Sequence, residues 1–235
     1  MVSGLLVLCF LVMCSFASGL VKGKTILPYL AQLNNEFRII LASGSPRRRE
    51  LLTQMGLTNF EIILSKFEED LDKASYTPVM YCAATSFGKL KAVMAVLQAP
   101  VDKGLLVISA DTIIEIDGKV LEKPIDKQDA IKMLTMLSGK THAVHTAVSI
   151  AYQTKGMQAS EVAFQESTKC TFIDLSEDDI LAYVSTGEGA DKSGSYGIQG
   201  IGGQLVDKID GCYYNVMGLP INALSRKIAL LLNKQ

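Results

Sequence analysis

The sequence contains no C-x-x-C pair, no zinc-ligand spacing, no G-x-G-x-x-G following a strand and no G-x-x-x-x-G-K-[ST]. The first two absences leave a zinc site without support. The other two remove the Rossmann and P-loop ways of cradling a nucleotide phosphate. Basic excess is missing as well. Net charge is −1 and aromatic residues make up 7%, so nucleic acid is not an expected partner. Histidine is scarce. His142 and His145 share an apparent strand and read as sheet-face or edge residues rather than metal ligands. No Ser-His-Asp or Cys-His set is suggested, and no repeat, low-complexity tract or internal linker is visible. Two of the five cysteines, Cys9 and Cys14, lie in an N-terminal apolar run. That leaves Cys82, Cys170 and Cys212, an odd number that fits a reducing compartment better than a disulfide scaffold.

What is present describes a globular chain. Its 235 residues are 49% apolar, enough for one large or two small domains with a real core. Leu5 to Phe16 is almost uninterruptedly apolar and leads into Ala17-Ser18-Gly19, like a secretory h-region and cleavage zone, but without a basic n-region. A cytoplasmic location is expected, with the secretory pathway as the alternative if residues 1–19 act as a signal. No stable membrane partner is expected, and a homodimer stays open. Residues 1–36 read as an extension ending in a lead-in helix over 22–36, and 37–235 as a single domain.

Strands and helices alternate early, and long strands pair later, which predicts an α/β fold with a mixed sheet. Strands are expected at 37–42, 60–64, 105–110, 113–116, 119–121, 141–152 and 161–173. Asp117-Gly118 carries a type I′ hairpin signal. Ser45, Thr77, Asp126 and Ser176 read as caps of helices ending near Gly56, Gln98, Leu137 and Gly187, and a last helix runs from Ile221 to Leu232.

Two segments point to chemistry. In Ser43-Gly44-Ser45-Pro46-Arg47-Arg48-Arg49 a strand gives way to a helix whose first turn holds arginines against the dipole. An anion that uses both the helix-start N–H groups and the guanidinium forks explains that arrangement, the alternative being a capped surface helix with loose arginines. The second is Gly187 to Gly203, whose glycines permit close backbone approach to a ligand, and whose Tyr196, Ile198 and Gln199 suit an ordered loop gripping a base or sugar. Between them lies Asp111, directly after an apolar strand, where a carboxylate can activate water, hold a metal or cap a turn. Lys123 precedes Pro124, which biases its backbone to an extended form, with a solvated loop lysine as the alternative. Arg47, Arg48, Lys91, Lys123 and Lys192 as cations, Glu69 and Asp111 as acids, and Gln199 and Thr112 as polar readers form a kit for a polyphosphate, a hard cation and a base.

The blocks Leu41 to Arg48, Ala110-Asp111-Thr112, Leu121 to Pro124, Leu137-Ser138-Gly139, Asp191 to Gly200 and Tyr213 to Pro220, in that order, resemble the Maf family of nucleoside triphosphate pyrophosphatases. The nearest likeness is to its eukaryotic branch. The resemblance implies a Maf/ITPase-like α/β fold, elongated and two-lobed with a central cleft. It implies hydrolysis of a nucleoside triphosphate to the monophosphate and pyrophosphate with a divalent cation, Mg²⁺ or Mn²⁺. By position Asp111 matches the family's proton acceptor. Ser45, Arg47, Arg48, Glu69, Lys91, Lys123 and Gln199 match positions around the triphosphate and metal, with Glu69 and Asp111 as the metal's carboxylates. Arg47, Thr112 and Gln199 match the trio of the subgroup acting on dTTP and UTP, against the subgroup preferring 7-methyl-GTP. Modified pyrimidine nucleotides are further candidates. Lys89 competes with Lys91 for the lysine position, Glu68 stands beside Glu69, and Gly88 replaces a common alanine. A non-catalytic nucleotide-binding regulator of cell division is the alternative reading of the same pocket.

Overall fold

A computed structural model describes residues 24–98 and 102–233. The apolar segment read as signal-like lies outside the described residues. One mixed sheet organises the rest. In chain order its strands are β1 (Phe37–Leu41), β2 (Phe60–Ile62), β3 (Gly104–Ile116), β4 (Lys119–Leu121), β5 (Thr141–Gln153), β6 (Ser160–Phe172) and β7 (Val206–Asp210). Their spatial order is β2-β1-β3-β5-β6-β7, with β4 also paired to β3. β1 runs parallel to β2 and β3, and the remaining pairs are antiparallel. The helices are α1 (Leu30–Glu36), α2 (Pro46–Gln54), α3 (Pro78–Val96), α4 (Lys127–Leu137), α5 (Glu177–Ser185), α6 (Tyr213–Met217) and α7 (Ile221–Leu232).

The pleat of β3 explains the layering, because alternate residues of a strand face opposite sides. Leu106, Ile108 and Ala110 enter one core with Leu33 of α1, Leu51 and Leu52 of α2, and Leu224 and Ile228 of α7. Further along the same face, Ile114 and Ile116 enter a second core with Leu134 and Leu137 of α4, and Ile180 and Tyr183 of α5. Thr112 lies on this face between the two, so the cleft opens at the break between cores. The opposite face of β3 is covered by α3. Leu105 and Val107 pack with Leu90 and Val93, and Ile113 packs with Tyr81 and Cys82. Each fully buried Leu or Ile contributes roughly 1.5–3 kcal/mol. By length and composition α3 could cross a membrane; here it is the layer closing one side of the sheet.

The predicted caps form. The side chains of Ser45, Thr77 and Asp126 accept from Arg48, Met80 and Asp129 N–H, and Ser176 builds a capping box with Asp179. Asp117 (φ 51°) and Gly118 (φ 75°) both take positive φ, as a type I′ hairpin requires. The lead-in segment packs into the first core. Ile26 and Leu33 are buried in it, and Ile26 N donates to Ser225 Oγ at 3.0 Å.

Three expectations change. The apolar run 105–110 and the hairpin arm 113–116 are one thirteen-residue strand, so Asp111 lies within β3 rather than beyond its end. The hydrogen-bond ladder with β5 continues through Asp111↔Ala147 and Thr112↔Thr146 and holds the backbone extended. The 60–64 strand is cut to Phe60–Ile62. β7 and α6 were not foreseen, since Val206–Asp210 and Tyr213–Met217 are too short to show a clear period.

Candidate active site

β1 pairs with β3 only as far as Leu41↔Ile108, and β4 takes up the same edge at Ile114. Residues 109–113 of β3 therefore have no strand on that side. This notch lies where β1 turns away into α2, the kind of place where open α/β sheets bind ligands. It opens into a cleft of ≈1100 Å³ lined by the start of α2, mid-β3, the Glu122-Lys123 turn and the glycine-rich segment. That is ample for a nucleotide.

On one face of β3, Asp111 is 8% exposed, and its Oδ1 accepts from Lys89 Nζ at 2.8 Å. Lys89 also reaches Glu69 Oε1 at 3.0 Å, so one ammonium holds two carboxylates together. α3 is fastened at this spot. Cys82 Sγ donates to Asp111 O at 3.3 Å, and Ser109 Oγ donates to Ser86 O at 2.8 Å. Cys82, Ser86 and Lys89 share one helix face at spacings of four and three.

Lys91 corrects the lysine expectation. It lies two residues further round the helix, outside the cleft lining, and pairs with Glu161 at 3.0 Å. Glu69, not Glu68, is the acid that lines the cleft.

On the other face, Thr112 Oγ1 accepts from Arg48 Nη2 at 3.0 Å and lies 3.0 Å from Thr146 Oγ1. Arg48 also donates from Nε to Gly218 O at 2.9 Å and from Nη1 to Ser43 Oγ at 3.1 Å. Burial pulls its guanidinium below the ordinary arginine range, and the Asp111 carboxylate works against that shift. Arg48 thus ties the start of α2 to mid-β3 and to the residue after α6. Ser45 caps α2 and lines the cleft beside Arg47. Arg47 Nη1 lies 3.5 Å from Asp191 Oδ2. Lys192 donates to Asp191 Oδ1 at 2.7 Å and to the Glu188 carbonyl. Lys123 lines the cleft exposed and has no hydrogen bond or ion pair among the described residues. Gln199 lines the cleft exposed, at the tip of the glycine-rich turn.

The glycines of this turn are not there mainly for a ligand. A Cβ at Gly189 would lie 2.0 Å from Ser195 O, at Gly194 2.4 Å from Ile114 Cδ1, and at Gly200 2.1 Å from Glu188 Oε2. The close approaches are to the protein's own atoms. Sequence reasoning passed over Glu188 and Glu122. Glu122 accepts from Tyr81 Oη at 2.8 Å, and its carbonyl accepts from Gly194 N at 3.0 Å. Its place inside Leu121 to Pro124 was the available signal.

Five cations and six carboxylates line the cleft. Glu188 is engaged within the glycine-rich segment, Asp191 by Lys192 and Arg47, and Glu122 by Lys73 and Tyr81, while Glu50 stands exposed on α2 and Asp111 and Glu69 are drawn together by Lys89.

The model of the family described as Maf-like protein matches residues 38–231. The chain is 43% identical over 199 residues to a human protein named probable bifunctional dTTP/UTP pyrophosphatase/methyltransferase protein, covering 83% of this chain and 32% of that one. It is 41% identical to a dTTP/UTP pyrophosphatase of Clostridium beijerinckii, covering 80% and 95% of the two chains. It is 45% identical to one of Aliivibrio fischeri, covering 79% and 94%. The match thus spans about a third of the human relative and nearly all of the bacterial ones. With a family model spanning almost the whole described chain and bacterial relatives matched over nearly their whole length, the chain belongs to the Maf-like protein family.

Proposed function

We propose that this protein is a nucleoside triphosphate pyrophosphatase that hydrolyses dTTP and UTP to the monophosphate and pyrophosphate in the cytoplasm. The observation that carries the reading is the buried Asp111 carboxylate at the sheet notch, faced by cations from α2, α3, the Glu122-Lys123 turn and the glycine-rich segment. The substrate class is supported by the bacterial relatives, named dTTP/UTP pyrophosphatases and matched over nearly their whole length.

Asp111 takes a proton from water. The hydroxide attacks the α-phosphorus, the bond from that phosphorus to the bridging oxygen breaks, and pyrophosphate departs with the electron pair. Arg47, Lys123 and Lys192 hold the departing group, and Arg48 fixes the start of α2 against it. Such cleavage depends mainly on positioning and charge stabilisation, which this residue set provides.

Asp111 and Glu69 also fit a divalent cation. Among the described residues no group of three or more His, Cys, Asp or Glu forms a ready cage. Mg²⁺ and Mn²⁺ are commonly held by one or two carboxylates plus substrate phosphates, and the donor set here is all oxygen. When bound, the ion would neutralise charge on the phosphate oxygens.

A product-resolved assay with dTTP, UTP, dCTP and 7-methyl-GTP, with Mg²⁺ or Mn²⁺, tests the reading. Monophosphate and pyrophosphate from dTTP and UTP in preference to the others are expected. Saturable binding without products would overturn it in favour of a binding regulator.

A further inference from the structure

The least expected group in the cleft is Glu188. It follows α5 on the positive-φ Gly187, and its carboxylate turns inward. Oε1 accepts from Gly202 N at 2.8 Å and from Tyr183 Oη at 2.9 Å, and Oε2 accepts from Ile201 N at 2.8 Å. Tyr183 Oη in turn accepts from Gly197 N at 3.1 Å. One carboxylate, directly and through one phenol, collects the N–H groups of Gly197, Ile201 and Gly202. These bracket Gln199.

Backbone N–H groups converging in a glycine-rich turn make an anion nest. Here the nest is filled from inside by the chain's own carboxylate, so this turn is not free to cradle a phosphate. It is free to present a side chain. Tyr183 is buried in the second core, which anchors the clamp to the sheet. Burial pushes the Glu188 carboxyl up, but the Gly202 and Ile201 N–H groups, the Tyr183 hydroxyl and Lys192 outweigh it, so the anion is the favoured form. The glycines answer to the clamp. A Cβ at Gly200 would lie 2.1 Å from Glu188 Oε2, and one at Gly202 would lie 2.7 Å from Tyr183 Oη. Gln199, exposed at the tip, carries an amide that both donates and accepts, which suits a base edge better than a phosphate.

We infer that Glu188, with Tyr183, is a positioning residue for base selection, locking the 197–202 turn so that Gln199 meets the pyrimidine edge of the substrate. This rests on the pyrophosphatase reading above.

The test compares Glu188→Gln, Tyr183→Phe, Gln199→Ala and the Glu188→Gln/Gln199→Ala double variant in the full chain. Steady-state pyrophosphate release from dTTP and from dCTP is measured, with thermal unfolding alongside. The expected result for Glu188→Gln is a five- to tenfold fall in the dTTP-to-dCTP ratio of kcat/KM, about the worth of one lost hydrogen bond, carried mainly by KM for dTTP. Tyr183→Phe moves the ratio the same way by less. The double variant discriminates no worse than Gln199→Ala alone, since both act through one contact. A ratio within twofold of wild type, equal losses on both nucleotides, or additive effects would overturn the inference. Whether wild type releases pyrophosphate at all decides the underlying reading separately. If it does not, the same variants are compared by calorimetric binding of dTTP and dCTP, and the ratio of affinities decides.

Discussion

Lys89 Nζ and Asp111 Oδ1 meet 2.8 Å apart across the joint between α3 and β3, both side chains nearly enclosed. That pair singles out one lysine of the two that the sequence offers. Lys89→Met should lower kcat about a hundredfold, by removing a cation from the proposed reacting centre. Lys91→Met, which breaks an exposed pair worth at most about 1 kcal/mol, should stay within about twofold of wild type. Pyrophosphate release by the two variants decides, and equal losses would remove Lys89 from the site.

Asp111→Asn keeps the shape and discards the proposed base. Turnover should drop by about a hundredfold or more, while the chain still unfolds cooperatively. Near wild-type hydrolysis by this variant would refute the assigned proton acceptor.

Arg48 spends Nε, Nη1 and Nη2 on Gly218, Ser43 and Thr112. Lysine at this position keeps the charge and loses the fork. Arg48→Lys should destabilise the fold by about 1–3 kcal/mol in urea unfolding and raise KM for the triphosphate. An unchanged urea midpoint would show that the fork carries no structural weight.

Gly88 costs α3 about 1 kcal/mol of helix propensity relative to alanine. A Cβ there would lie 2.4 Å from Cε2 of Phe67, so the ring must move. Phe67 and Glu69 share one loop, and Gly88→Ala should therefore shift that loop. Thermal stability should hold or rise, and under the proposal that Glu69 helps hold a divalent cation, the Mn²⁺ concentration needed for half activation should increase. Unchanged activation by Mn²⁺ would break the link between Phe67 and Glu69.

His142, 2% exposed, lies beside Tyr196 with Nε2 2.8 Å from its hydroxyl, and burial pushes the imidazole down to about 4. The folded state therefore prefers the neutral ring. Between pH 6.5 and about 4 the unfolded chain binds a proton that the native chain refuses, so stability falls as pH drops through that window and is untouched above it. The loss is on the order of 3 kcal/mol. Urea unfolding at pH 7 and pH 4.5 should show it, and His142→Phe should flatten the difference. The same slope in that variant would assign it elsewhere.

The sequence made the caps and long strands legible because both rest on local chemistry. Ser45-Pro46, Thr77-Pro78 and Asp117-Gly118 have few alternative conformations, and Leu105–Ala110 has an unbroken apolar run. Asp111 and the arginines could be singled out by their motifs, although Asp111 was expected beyond its strand rather than within it. Lys89 could have been separated from Lys91, since Cys82, Ser86 and Lys89 fall on one helical face. Glu188 could not, because its meaning depends on where Gly197, Ile201 and Gly202 fold back around it. The continuity of β3 through Asp111 was hidden for a similar reason. The ladder that keeps Asp111 and Thr112 extended belongs to β5, more than thirty residues away.

β3 and β5 pair without interruption from Leu105↔Gln153 to Glu115↔Ala143, and the two cores are strung along that single ribbon. A jaw that swings needs a few residues able to absorb a large dihedral change. This ribbon offers none, and α3 splints it from behind. The spacing between the cores is therefore laid down by one continuous pair of strands. Strand geometry sets how far apart the cores stand, and the loops and side chains that line the gap decide what fits within it.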